Sequence, residues 1–94
     1  MAVNYPSSDY ADAIETTSLT ELNGITQFLT TIFGGRVADA FSAFQKASAV
    51  YGGLPCAAAV GLAFPNPLVP GGCDVHPTVE GQELIANLLL QALK

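Results

Sequence analysis

Apolar positions along the chain come in short patterned groups separated by turn-forming residues. Ala2 to Tyr5 is a short, mostly apolar run ending in Pro6, Ser7, Ser8 and Asp9, the form of a buried strand entering a turn. Residues 6–17 are polar and predict a loop. Ser18, Leu19, Thr20 and Glu21 then have the capping-box form, in which a hydroxyl and a carboxylate satisfy the free backbone donors of a helix start. Leu22, Ile25, Leu29 and Ile32 recur three and four apart, on one helical stripe, and Gly34-Gly35 supplies a stop. The spacing predicts a helix over 19–33.

Arg36, Val37, Ala38, Asp39, Ala40 and Phe41 alternate and predict a second strand near 36–41. Strand, capped helix and strand is the order of a βαβ unit, which pairs its strands in parallel through a right-handed crossover. A short helical stretch is expected over 42–50, with Phe41, Phe44 and Val50 as its apolar positions. Residues 52–72 hold five of the nine glycines and four of the six prolines. They predict a long irregular loop, running on to about residue 76, with one turn of helix around 57–60. A connection of that length is usually functional or mobile. Pro77 and Thr78 mark the start of a last helix, over 78–93. Its apolar face is Leu84, Ile85, Leu88, Leu89 and Ala92, and its polar side is Glu80, Glu83, Asn87, Gln91 and Lys94. The class is α/β.

Composition narrows what such a chain can do. Its 94 residues support one small domain, with a core of marginal stability that a crosslink or oligomerisation would reinforce. Half the residues are hydrophobic and 12% are charged, so the chain folds or associates rather than staying disordered. Eight acids against three bases give a net charge of −5. There is no basic patch to neutralise phosphates, so nucleic acid is not an expected partner, and Arg36, Lys46 and Lys94 are too scattered to hold an anionic membrane. No apolar run approaches the roughly 20 residues that span a bilayer; the longest, 54–68, is broken by Pro55, Pro65 and Pro67. The N-terminus lacks the basic start and apolar stretch of a signal peptide. Any leader of a secreted parent is expected to lie outside this stretch.

Two cysteines, Cys56 and Cys73, lie seventeen positions apart in the Gly/Pro-rich segment. A disulfide between them would close a loop otherwise costly to order, contributing on the order of 3 kcal/mol in the chain-entropy model. Two buried free thiols, or metal ligation, are the alternatives. The single histidine, His76, sits two residues after Asp74 and directly before Pro77. A neutral imidazole can take a proton from a hydroxyl nucleophile, and a nearby carboxylate fixes its tautomer and stabilises the imidazolium. The same Asp-x-His could equally be a surface loop leading into a helix cap.

Cys73-Asp74-Val75-His76-Pro77-Thr78-Val79-Glu80-Gly81, followed by Leu84-Ile85-Ala86, resembles the last block of the SGNH (GDSL-type) ester hydrolases, where Asp, His and Pro precede a Gly-containing start of the terminal helix. Leu22-Asn23 and Gly35-Arg36-Val37-Ala38-Asp39-Ala40-Phe41 resemble the helix and last strand that lead into that block, and Ala2-Val3-Asn4-Tyr5-Pro6 resembles the preceding strand. The resemblance implies the C-terminal part of a flavodoxin-like three-layer fold around a parallel sheet, and hydrolysis of carboxylic esters, small or lipid-like. It implies His76 as general base and Asp74 as its orienting partner, although many members place one more residue between the two than the single Val75. It also implies a secreted parent, often with a disulfide ahead of this block, and no cofactor.

The chain departs from that family in lacking a Gly-Asp-Ser nucleophile block and a Gly-x-Asn-Asp oxyanion block. Ser7 and Ser8 follow the first predicted strand, and loops at the carboxyl ends of parallel strands line the ligand crevice, so they are the candidate substitute nucleophiles. Two other readings compete with the hydrolase. Half a three-layer domain leaves an apolar face to be covered, which predicts a catalytically silent homo-oligomer or a missing N-terminal half. Cys56, Cys73, Asp74 and His76 are also all acceptable zinc ligands, which predicts a small metal-binding protein.

Overall fold

A computed structural model of the chain describes residues 1–69 and 71–93. It is a mixed α/β arrangement: strand β1 (Ala2–Val3), helix α1 (Ala13–Ile32), strand β2 (Val37–Ala38), helix α2 (Ala40–Ser48) with a single 3₁₀ turn at Ala49–Tyr51, strands β3 (Ala63–Pro65) and β4 (Cys73–Pro77), and helix α3 (Val79–Ala92). β1 and β2 pair in parallel, Ala2 opposite Val37 and Val3 opposite Ala38, and α1 connects them as the βαβ order predicts. β3 and β4 form a separate antiparallel pair with an irregularity between Ala63 and Pro65.

Helix α1 starts six residues before the predicted capping box. Asp12 is the N-cap, its carboxylate accepting from the amides of Ile14 and Glu15, and Ser18 lies inside the helix. Asp12-Ala13-Ile14-Glu15 has the same cap-to-N3 spacing as Ser18-x-x-Glu21. The earlier signal wins because a carboxylate at a helix start both accepts orphan amides and complements the helix dipole. The predicted stop holds: Gly34 takes a left-handed conformation (φ 75°), and the Gly34 and Gly35 amides donate to the Thr31 and Thr30 carbonyls. Positive φ is open to glycine at little steric cost.

The predicted strand at 36–41 shrinks to Val37–Ala38, because Asp39 turns the chain into α2 by accepting from the Ser42 amide at 3.0 Å. Ala40 and Phe44, four apart on that helix, are buried, so the pattern from residue 40 onward is helical rather than alternating. Val50 is exposed instead of completing the apolar side. Where the predicted loop over 52–76 was expected to hold one turn of helix, residues 57–60 form a hydrogen-bonded turn and no helical element, the Val60 and Gly61 amides both donating to the Ala57 carbonyl. The second half of that loop is the β3–β4 pair. Proline is tolerated in such a narrow ribbon, where outer edges carry no ladder bonds.

The core is small. Ala40, Phe44 and Leu62 form its centre, with Val3, Tyr10, Val60, Leu84, Ile85 and Leu88 packed around them. Helix α3 thus half-buries the face its periodicity predicts, Leu84, Ile85 and Leu88 packing on the core; Lys94, expected on its polar side, lies outside the described residues. Its start is tied down closely. Thr78 is the N-cap, accepting from the Gly81 amide, and its own amide donates to the Leu62 carbonyl at 3.1 Å. A Cβ on Gly81 would stand 2.1 Å from that carbonyl oxygen, so the glycine lets helix and loop meet. At the far end, Arg36 donates to the Ala92 carbonyl at 2.6 Å, placing a cation on the negative end of the helix dipole.

Helix α1 contributes nothing to the core cluster. Leu22, Ile25, Leu29 and Ile32, the predicted stripe, are all exposed. The helix is held through polar groups on another side. Asn23 is buried and brackets Tyr5, accepting from its amide and donating to its carbonyl, both at 2.9 Å. Thr16 donates to the Asp9 and Tyr10 carbonyls.

Candidate functional site

Strand β4 brings the candidate base and its partner together. Side chains two apart on a strand project to the same face, so the single Val75 places Asp74 and His76 side by side. The imidazole Nδ1 lies 2.8 Å from Asp74 Oδ1. A carboxylate only accepts, so in the neutral imidazole Nδ1 carries the proton and Nε2 keeps its lone pair, the tautomer a general base requires. Asp74 Oδ1 also accepts from the Val75 amide at 2.6 Å. The hydrogen bond from His76, followed by that from the Val75 amide, holds the Asp74 carboxyl below its ordinary 3.8. The imidazole is 75% exposed and Asp74 36%, so Nε2 is open to solvent.

Two features aim this strand. The Cys56–Cys73 disulfide is present, with Cα atoms 5.4 Å apart, and it anchors the first residue of β4 to the loop after α2. The Cys56 amide also donates to Cys73 Sγ at 3.1 Å. At the other end Pro77 leads into the Thr78 cap. The pair is therefore fixed between a crosslink and a helix start. The disulfide also corrects the metal-site alternative: both sulfurs are covalently engaged, which leaves only Asp74 and His76 of the four proposed ligands. Among the described residues no group of three or more His, Cys, Asp or Glu side chains converges on a cation position.

Ser7 and Ser8 are placed differently from the expectation. Ser7 is 2% exposed; its hydroxyl donates to Glu15 Oε1 at 3.2 Å and accepts from the Asp9 amide. The Ser8 hydroxyl donates to both Glu15 carboxylate oxygens, at 2.8 and 3.0 Å, and its amide donates to Oε1 at 2.9 Å. Their hydrogen bonds hold the loop before α1 to the first turn of that helix. Among the described residues the His76 imidazole bonds to Asp74 alone, so no side-chain hydrogen bond joins it to either serine.

Glu15 and Asn23 are the residues that sequence reasoning missed here. Glu15 had a signal, since it stands at the third helical position after an acidic cap. Asn23 had none beyond being a polar residue beside an apolar stripe. A surface depression of about 280 Å³ is lined by Tyr10, Ala11, Gln45, Ala49, Gly52 and Gly53, none of them a predicted site residue. Burial pushes the Tyr10 phenol up to about 12, and its hydroxyl donates to the Phe41 carbonyl at 2.6 Å, so it serves as a structural clasp. No helix among the described residues is long and apolar enough to cross a membrane. No family model, curated protein or solved structure matches the chain at a significant level.

Proposed function

We propose that the chain carries the base-and-orienter part of a carboxylic ester hydrolase site of SGNH type, with His76 as general base and Asp74 as its orienter. The observation that carries this reading is the 2.8 Å Nδ1 to Oδ1 hydrogen bond with Nε2 left open. In that geometry Nε2 takes the proton of an attacking hydroxyl, Asp74 stabilises the imidazolium, and the proton is returned to the leaving alkoxide. Ser7 and Ser8 keep a positioning part in this reading, because Glu15 already receives their hydroxyls; the attacking hydroxyl is that of a water molecule at the solvent-facing Nε2, so the chain alone can turn over. The substrate is an ester of a small or lipid-like acyl group, no cofactor takes part, and the parent is secreted, a compartment in which the Cys56–Cys73 bridge persists. The β1–α1–β2 unit is read as one end of a flavodoxin-like three-layer sheet.

Saturable turnover of a short-chain chromogenic ester tests this. His76→Ala is expected to lower kcat by roughly 100-fold or more, while Ser7→Ala and Ser8→Ala leave it near wild type. Unchanged turnover in His76→Ala at equal purity removes the base, and loss of turnover in Ser8→Ala makes that serine the nucleophile.

A further inference from the structure

Helix α1 carries a continuous stripe of the chain's exposed apolar surface. Leu22, Ile25, Phe28, Leu29 and Ile32 lie on one side of it, each between 44 and 64% exposed. Leu22, Ile25, Leu29 and Ile32 follow a three-four-three spacing, the seam by which one helix packs along another. The residues tying α1 to its own chain, Asn23 and Thr16 among them, lie on a different side, so the seam is free.

The area left uncovered has the size of an interface. A globular monomer of 9.7 kDa exposes roughly 5100 Å², and this chain exposes 5910 Å². The excess, roughly 800 Å² over the whole chain, equals what one partner contributes to a standard specific interface, and the α1 seam is a continuous part of it. Charge narrows the occupant. Glu15 and Glu21 are the only ionisable residues of α1, both in its N-terminal half, and residues 22–35 carry no charge. The seam offers nothing to select an acidic or a basic partner; its complement is another neutral apolar helix, and every copy of this chain carries one.

We propose that a second copy of the chain covers this face, in a two-fold dimer with the α1 helices antiparallel and Leu22 opposite Ile32, and Ile25 opposite Leu29, of the other copy. In that register the two Glu21 residues stand about 18 Å apart along the helix pair at 1.5 Å per residue, whereas a parallel pair would put them side by side. The arrangement is isologous, so it closes at two copies and leaves no seam for further growth.

Sedimentation of the purified chain across a concentration series tests it. Wild type is expected to run at twice 9.7 kDa when concentrated and to dissociate on dilution. Ile25→Glu alone and Leu29→Lys alone are each expected to run as monomers with unchanged helical content, and an equimolar mixture of the two to recover the double mass, because the new charges face each other only in the antiparallel register. A monomer at every wild-type concentration overturns the proposal whether or not the variants fold. So does a dimer that survives Ile25→Glu, and a mixture that stays monomeric overturns the register.

Discussion

Helices α1 and α3 carry apolar stripes of the same kind and meet opposite fates. In α3, Leu84, Ile85 and Leu88 pack on the core around Phe44 and Leu62, and the helix start is held by the Thr78 cap and by close contact between Gly81 and the Leu62 carbonyl. In α1 the stripe faces solvent and polar groups do the anchoring, above all Asn23 on the Tyr5 backbone. A helical apolar pattern therefore specifies a face that must be covered, without specifying that its own chain covers it. The candidate site sits beside that anchored start: β4 runs directly into α3, and Asp74 and His76 lie between the disulfide and the Thr78 cap.

If that contrast is right, substitutions of the same type should act with opposite sign in the two helices. The largest effect is expected at Gly81, where a methyl group meets the Leu62 carbonyl at 2.1 Å; Gly81→Ala should cost about 3 kcal/mol, the upper end for overpacking, read as a lower denaturant midpoint. Reducing the Cys56–Cys73 bridge should cost about 3 kcal/mol or somewhat less and loosen β4 while α1 keeps its helical signal. Hydrogen exchange with and without reductant measures both at once. Gly24 lies mid-helix in α1 with nothing within 4 Å of its missing Cβ, so Gly24→Ala should stabilise by about 0.5–1 kcal/mol. A loss at Gly24 equal to that at Gly81 would dissolve the contrast.

The smallest expected effect is on pH. Burial pushes the Asp39 carboxyl up, but hydrogen bonds from Asn4 and Ser42 outweigh it, and the group lies below its ordinary 3.8; hydrogen bonds from His76 and Val75 lower Asp74 likewise. Both groups favour the folded state above 3.8, and that contribution is lost as the pH falls through their lower folded-state values. The denaturant midpoint should therefore drop below about pH 4. Asp39→Asn should flatten part of the drop, and a midpoint indifferent to acid would remove these contacts from the account.

Much of this fold was legible in the sequence. The α3 helix, its half-buried face and the Gly34 stop follow from local patterning, and the parallel pair around α1 from the order of elements; the Cys56–Cys73 bridge was one of three readings open to the two cysteines. What misled was competition between signals of equal form. Asp12 and Ser18 each head a capping sequence, and the Asp12 carboxylate on the Ile14 and Glu15 amides, together with the hydrogen bonds of Ser7 and Ser8 to Glu15, favours the first. Residues 36–41 alternate on paper, yet Asp39 is a better helix cap than a strand residue. The β3–β4 ribbon was hidden by its prolines, which argue against strands in a sheet interior and not at an open edge. For the site, the Asp74–His76 pairing was readable, while the reason one intervening residue suffices needed the strand. The occupation of Ser7 and Ser8 by Glu15 came from loop geometry that no spacing rule contains.

The most direct test of the central claim is kcat for a short-chain ester measured on wild type, His76→Ala and Asp74→Asn together. The account expects saturable turnover in wild type, a fall of roughly 100-fold or more in His76→Ala, and a comparable fall in Asp74→Asn, because without the carboxylate the imidazole loses its tautomer and its counter-charge. Wild-type kcat retained in His76→Ala would contradict it.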